Sequence, residues 1–133
     1  MSKYASFVSA VPEVRAFLLD TQRDMAKKCS VIMDGRDIGT VILPDAEVKI
    51  FLTASPEARA RRRYLELQQK GENVTLDEVL ADMIQRDRDD TTRAEAPLRQ
   101  AEDAVLVDTS ELTLEESMDA VEAVIRRVLE GQV

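Results

Sequence analysis

Apolar positions along this chain switch between a helical spacing and short unbroken runs, and the switches mark out its elements. Pro12 suits the first position of a helix running to about Lys28, with Val14, Phe17, Leu18 and Met25 on one face, which predicts packing on a sheet. Ser30 to Asp34 (SVIMD) has the pattern of a short buried strand ended by Gly35, and Val48 to Ala54 (VKIFLTA) has the pattern of another. Ser55-Pro56 opens a second helix, with Glu57 in its first turn, a dense run of arginines and Gly71 as its stop. Thr75 with Glu78 forms a capping box for a third helix through Val79, Leu80, Met83 and Ile84. The polar stretch from Asp87 to Ala96 predicts a loop or a frayed helix end. Ala104 to Asp108 (AVLVD) reads as a third strand, and Thr113 with Glu116 caps a last helix with Met118, Val121, Ile125, Val128 and Leu129 inside.

This order of helices and apolar strands predicts a mostly parallel α/β sheet in a single domain over 1–133, with ligands beyond the strands' C-terminal ends. Three strands make a small sheet for that architecture, so part of it is expected to be missing.

Composition narrows the function. Lys plus Arg total 18 against 26 for Asp plus Glu, and the net charge of -8 argues against a polymeric nucleic-acid partner. The cations other than Lys3, Lys27, Lys28, Lys49 and Lys70 are all arginines, a bias that favours planar, bidentate recognition of phosphate. Cys29 is the single cysteine and there is no histidine, which excludes an intrachain disulfide, Cys-based zinc clusters, His-ligated metals and Ser-His or Cys-His nucleophiles. No apolar run approaches a membrane span, and Met1 to Ala10 lacks a signal-peptide layout, so no membrane partner and a reducing cytoplasm are expected.

Four clusters could carry chemistry. Met33 to Thr40 (MDGRDIGT) follows a strand and presents Arg36 and Asp37 on a glycine-flanked turn, although the two can equally pair on a surface loop. Arg59, Arg61, Arg62 and Arg63 crowd like charges on one helix, a cost that an anion or neighbouring carboxylates must offset. Arg86 to Arg93 (RDRDDTTR) alternates charge as a solvated face does, and also as a mobile clamp over a polyphosphate would. Ser6 and Arg15 flank and enter the first helix and could reach a base or sugar edge.

From about Ser6 to Leu129 the chain resembles the cytidylate kinase family, in PEVR, in MDGRDIGTVILPDAEVKIFLTASPEARARRRYLELQQKG, and in RDRDDTTRAEAPL followed by AEDAVLVDTS. The resemblance implies ATP-dependent phosphoryl transfer to CMP and dCMP, giving CDP and dCDP, with magnesium, in pyrimidine nucleotide metabolism. It implies a partial P-loop-type, nucleoside monophosphate kinase-like sheet with flanking helices and a lid at about 56–97. Ser6, Arg15 and Asp37 resemble the residues that recognise cytosine and its surroundings, and Arg86 and Asp90 those around the ribose and phosphates. Arg36 and Arg93 resemble CMP phosphate ligands, so that Arg36, Arg86 and Arg93 would steady the phosphates as charge shifts. Arg62, helped by Arg59, resembles the lid arginine that meets ATP, and Asp34 the strand-end carboxylate near magnesium's water ligands. The chemistry agrees: a phosphate monoester with a second pKa of about 6 is already ionised at neutral pH and needs no histidine base. What remains is positioning and charge neutralisation.

The family's Gly-rich loop, G-x-x-x-x-G-K-[ST], has no counterpart among Gly35, Gly39, Gly71 and Gly131, none of which precedes a lysine. The resemblance therefore implies that the central P-loop strand is absent, and Met1 is expected to open a truncated reading frame or a cloned fragment. Catalysis by these residues alone is expected to be negligible. Unpaired strand edges beside the gap are expected to recruit a second copy or an N-terminal kinase fragment, or to close up. Two rivals remain: a non-catalytic nucleotide-binding or subunit-interaction module, and a phosphohydrolase using Asp34 and Asp37.

Overall fold

A computed structural model describes residues 11–131. The first helix, α1 (Pro12–Lys28), has its proline in the first turn and Lys27 and Lys28 in the last, where they complement the helix dipole. It ends as expected but does not pack on a sheet. Phe17 is 70% exposed, and Leu18 and Met25 are exposed as well. The helix instead meets a single π-type turn, Ile38–Ile42, closed by the Ile42 and Leu43 amides donating to the Asp37 and Ile38 carbonyls at 3.2 and 2.7 Å. Arg23 ties the two together, donating from Nε to the Ile42 carbonyl at 3.0 Å and from its terminal nitrogen to that of Val41 at 2.8 Å.

The sheet has two strands among the described residues. β1 (Ile50–Thr53) runs parallel to β2 (Val105–Asp108), with Ile50 opposite Val105 and Thr53 opposite Asp108. Both lie within the expected apolar runs. The expected strand at Ser30 to Asp34 is absent: that segment has no regular secondary structure, and Ile32 is 99% exposed. A strand exists only through the ladder it shares, and none of the described strands pairs with it. β1 and β2 each keep one edge without a strand neighbour among the described residues.

Between the strands lies a helical pair. α2 (Pro56–Gln69) is capped by the Ser55 hydroxyl, which accepts from the Ala58 amide at 3.1 Å, and Gly71 follows it at φ +76, where a side chain would be strained. α3 (Leu76–Thr92) starts at the Thr75–Glu78 capping box. It continues through Asp87 to Thr92, where the charge alternation predicted a loop or frayed end, because partners on other elements fix that turn. Fully buried Ala60, with Leu67 and Val79, forms the α2–α3 core, flanked by Tyr64, Val74, Leu80 and Met83. α4 (Leu114–Leu129) starts at the Thr113–Glu116 box and packs on β2. It buries Val124, whereas Met118 and Leu129, expected inside, are exposed. The chain exposes 10297 Å², against roughly 7000 Å² for a folded monomer of this mass. Much apolar surface is uncovered, Leu52 on β1 at 60% included.

Candidate active site

Helical spacing builds the site. α2 carries Arg59, Arg62, Arg63 and Glu66, and α3 carries Met83, Arg86, Asp87 and Asp90, each set at i, i+3, i+4 and i+7 and so on one helical stripe. The two stripes line a cleft of about 500 Å³, completed by Asp34, Gly35, Arg36 and Leu98. Its charged lining is Arg36, Arg59, Arg62, Arg63 and Arg86 against Asp34, Glu66, Asp87 and Asp90, or 5 − 4 = +1. A second cleft, of about 220 Å³, shares Asp34, Gly35 and Arg36 with the first and adds Arg15, Asp37 and Arg93. Gly35 permits this bend, since a Cβ there would meet the Ile38 side chain at 2.9 Å.

Ion pairs hold most of these groups. Arg36 and Asp37, adjacent in sequence, take different partners: Arg36 donates through Nε to Asp90 at 2.9 Å, and buried Asp37 accepts from Arg15. Asp90 also lies 4.0 Å from Arg86, whose side chain is 61% exposed. Arg59 grips Asp87 with both terminal nitrogens, at 2.8 and 2.5 Å, while its Nε donates to the Ala54 carbonyl at 3.0 Å. The hydrogen bond from Arg59 and its positive charge hold the Asp87 carboxyl below its usual range, and Asp87 raises the Arg59 pKa in return. Arg62 donates to the Thr109 hydroxyl and the Leu112 carbonyl, both at 3.2 Å, and to the Thr109 carbonyl. Arg93 donates from Nε to the Ala96 carbonyl at 2.7 Å, across a bend in which Ala96 takes φ +46, an uncommon conformation for a residue other than glycine. Exposed Glu66 is lowered to about 2 by hydrogen bonds from Lys70 and Arg63.

Of the expected site residues, Arg36, Arg59, Arg62, Arg86, Asp90 and Asp34 line the first cleft, and Arg15, Asp37 and Arg93, again with Asp34 and Arg36, the second. Ser6 lies outside the described residues. Arg63 and Asp87 belong to two of the charged clusters noted in the sequence but carry no individual role there, although their i, i+4 spacing from Arg59 and Met83 places them on the cleft stripes. Thr109 was missed too, and no local signal marks it. Asp34 is exposed at the lip common to both clefts. No group of three or more His, Cys, Asp or Glu side chains able to hold a metal occurs among the described residues. A lone carboxylate fits magnesium, which keeps most of its waters and leans on substrate phosphates. No helix among the described residues is long and apolar enough to cross a membrane.

A family model described as cytidylate kinase matches residues 1–127. The chain is 55% identical over 124 residues to a cytidylate kinase of Geobacter sp. (strain M21), covering 93% of this chain and 53% of that protein. It is 52% identical over 133 residues to a cytidylate kinase of Caldicellulosiruptor saccharolyticus, covering 100% of this chain and 59% of the relative. Against a cytidylate kinase of Caulobacter sp. (strain K31) the identity is 54% over 122 residues, covering 91% and 56% respectively. The chain thus spans between 53% and 59% of the length of these relatives.

Proposed function

The chain belongs to the cytidylate kinase family, and from that premise we propose that it carries the monophosphate side of an ATP-dependent kinase converting CMP and dCMP to their diphosphates. The observation that carries this reading is the convergence of Arg15, Arg36, Arg86 and Arg93, from three separate parts of the chain, on two adjoining clefts with Asp37 and Asp90. Buried Asp37, paired with the partly exposed Arg15, offers with it an acceptor and donors to a cytosine edge. Arg36, Arg86 and Arg93 meet the phosphate, Asp90 sits beside them toward the ribose, and Ser6 adds a further base-side ligand. Arg59 and Arg62, in a lid at about 56–97, face the phosphates of ATP. Asp34 would hold magnesium through its water shell, and the ion supplies neutralisation of the triphosphate charge. The attacking phosphate oxygen is ionised at neutral pH, so the arginines have only to place it and screen it.

These 133 residues contain no G-x-x-x-x-G-K-[ST] loop, and the reading assigns them negligible phosphoryl transfer on their own. CMP-dependent ADP formation from ATP and magnesium, run beside an Arg93→Ala control, tests this. No turnover above the control is expected; turnover lost with Arg93 would mean that ATP is held without a P-loop. The reading places the protein in a reducing cytoplasm, in keeping with its single Cys29.

The unpaired strand edges and the exposed Leu52 and Ile32 favour a second reading for the isolated chain, as a subunit-interaction module joined by another copy or by an N-terminal kinase segment. Sedimentation of a concentrated sample separates the two: a compact monomer at all concentrations removes the self-association arm.

A further inference from the structure

We propose that Asp87 is a positioning residue that occupies the phosphate-gripping edge of Arg59 until a polyphosphate displaces it; the inference rests on the reading of the larger cleft as a phosphate site. A guanidinium recognises phosphate best through two parallel N–H donors. On Arg59 the two terminal nitrogens already grip the Asp87 carboxylate at 2.8 and 2.5 Å, and Nε is turned to the Ala54 carbonyl at 3.0 Å. Arg59 therefore joins the end of β1 to α3, and the edge a phosphate would take is filled. Arg86, on the same α3 stripe, is in the opposite condition: 61% exposed and no closer than 4.0 Å to Asp90. The cleft thus sets Arg86, open to ligand, beside Arg59, whose two terminal nitrogens are both taken by one internal carboxylate. Asp87 also lowers the cleft's charge balance from +2 to +1, so it opposes anion entry directly. A polyphosphate that takes the Arg59 edge exchanges one charge-assisted pair for another and frees Asp87, which loosens the tie between α2 and α3. Occupancy of the cleft and the fit of the two helices are coupled through this exchange.

Inorganic pyrophosphate titrated into the full 133-residue chain, followed by calorimetry, tests the proposal. Asp87→Asn is expected to tighten binding roughly two- to five-fold, the size of one half-exposed charge contact. Asp87→Glu, which keeps a carboxylate within reach of Arg59, is expected to show no gain. Arg59→Ala combined with Asp87→Asn is expected to abolish the gain, which simple removal of a negative charge would not do. If the Asn variant loses its helical circular dichroism, Asp87→Ser takes its place with the same expectation. Unchanged or weaker binding by the Asp87 variant, or a gain that survives loss of Arg59, overturns the proposal. Pyrophosphate binding that ignores Arg86→Ala overturns the underlying reading of the cleft and the proposal with it.

Discussion

Arg62→Ala separates a role in holding the fold from one in holding CMP. The guanidinium pins α2 to the segment after β2 through the Thr109 hydroxyl, the Thr109 carbonyl and the Leu112 carbonyl. A hydrogen bond from a charged donor is worth about 1.5–3 kcal/mol net, but Arg62 is exposed, and screening reduces the whole set to about 1–2 kcal/mol. The loss is limited further because the Thr109 carbonyl keeps the Leu112 amide at 3.2 Å, and the Leu112 carbonyl bond is exposed, where water can replace the guanidinium. For a chain of this size the corresponding fall in Tm is about 3–10 °C. Urea and thermal unfolding, followed by helical circular dichroism, measure it, and a parallel CMP titration is expected to show no change, since Arg62 lies on the side assigned to ATP. Unaltered stability together with weakened CMP binding would refute the reasoning and make Arg62 a CMP ligand.

Leu67→Ala removes a buried side chain between α2 and α3, and urea unfolding is expected to show a loss of about 2–4 kcal/mol. Thr113→Ala breaks the capping box at the start of α4, with an expected cost of about 1 kcal/mol in the same assay. Asp87 and Glu66 both have folded pKa values below their ordinary ones, Glu66 at about 2. Their contribution is present above about pH 4, where the unfolded carboxylates ionise, and is lost as pH falls through the folded values. The urea midpoint of the parent is expected to drop toward pH 2 more steeply than that of Asp87→Asn combined with Glu66→Gln; equal slopes would count against both pairings.

Local signals were legible and partnered ones were not. Ser55-Pro56, Thr75 with Glu78 and Thr113 with Glu116 satisfy their own helix starts, so each was readable within a few residues and each holds in the structure. Ser30 to Asp34 has the composition of a strand, yet composition cannot supply a neighbour, and the segment stays irregular with Ile32 in solvent. The same lack of a covering layer leaves Phe17 and Met25 outside on α1, and Met118 and Leu129 outside on α4. Asp87 to Thr92 looked like a loop because alternating charge is usually solvated. Arg59 and Arg36, distant in sequence, bring it partners in Asp87 and Asp90. In the site, the quoted motifs located nearly every cleft arginine. The internal carboxylate that holds Arg59 follows from how two helices face one another, which no single stretch of sequence records.

The most direct test is CMP binding by the 133-residue chain, measured by calorimetry against Arg36→Ala and Arg93→Ala. The account predicts saturable binding of CMP that is weakened at least several-fold in each variant, while each variant keeps its helical circular dichroism. No binding of CMP, or binding indifferent to both arginines, would contradict the assignment of these clefts to the monophosphate.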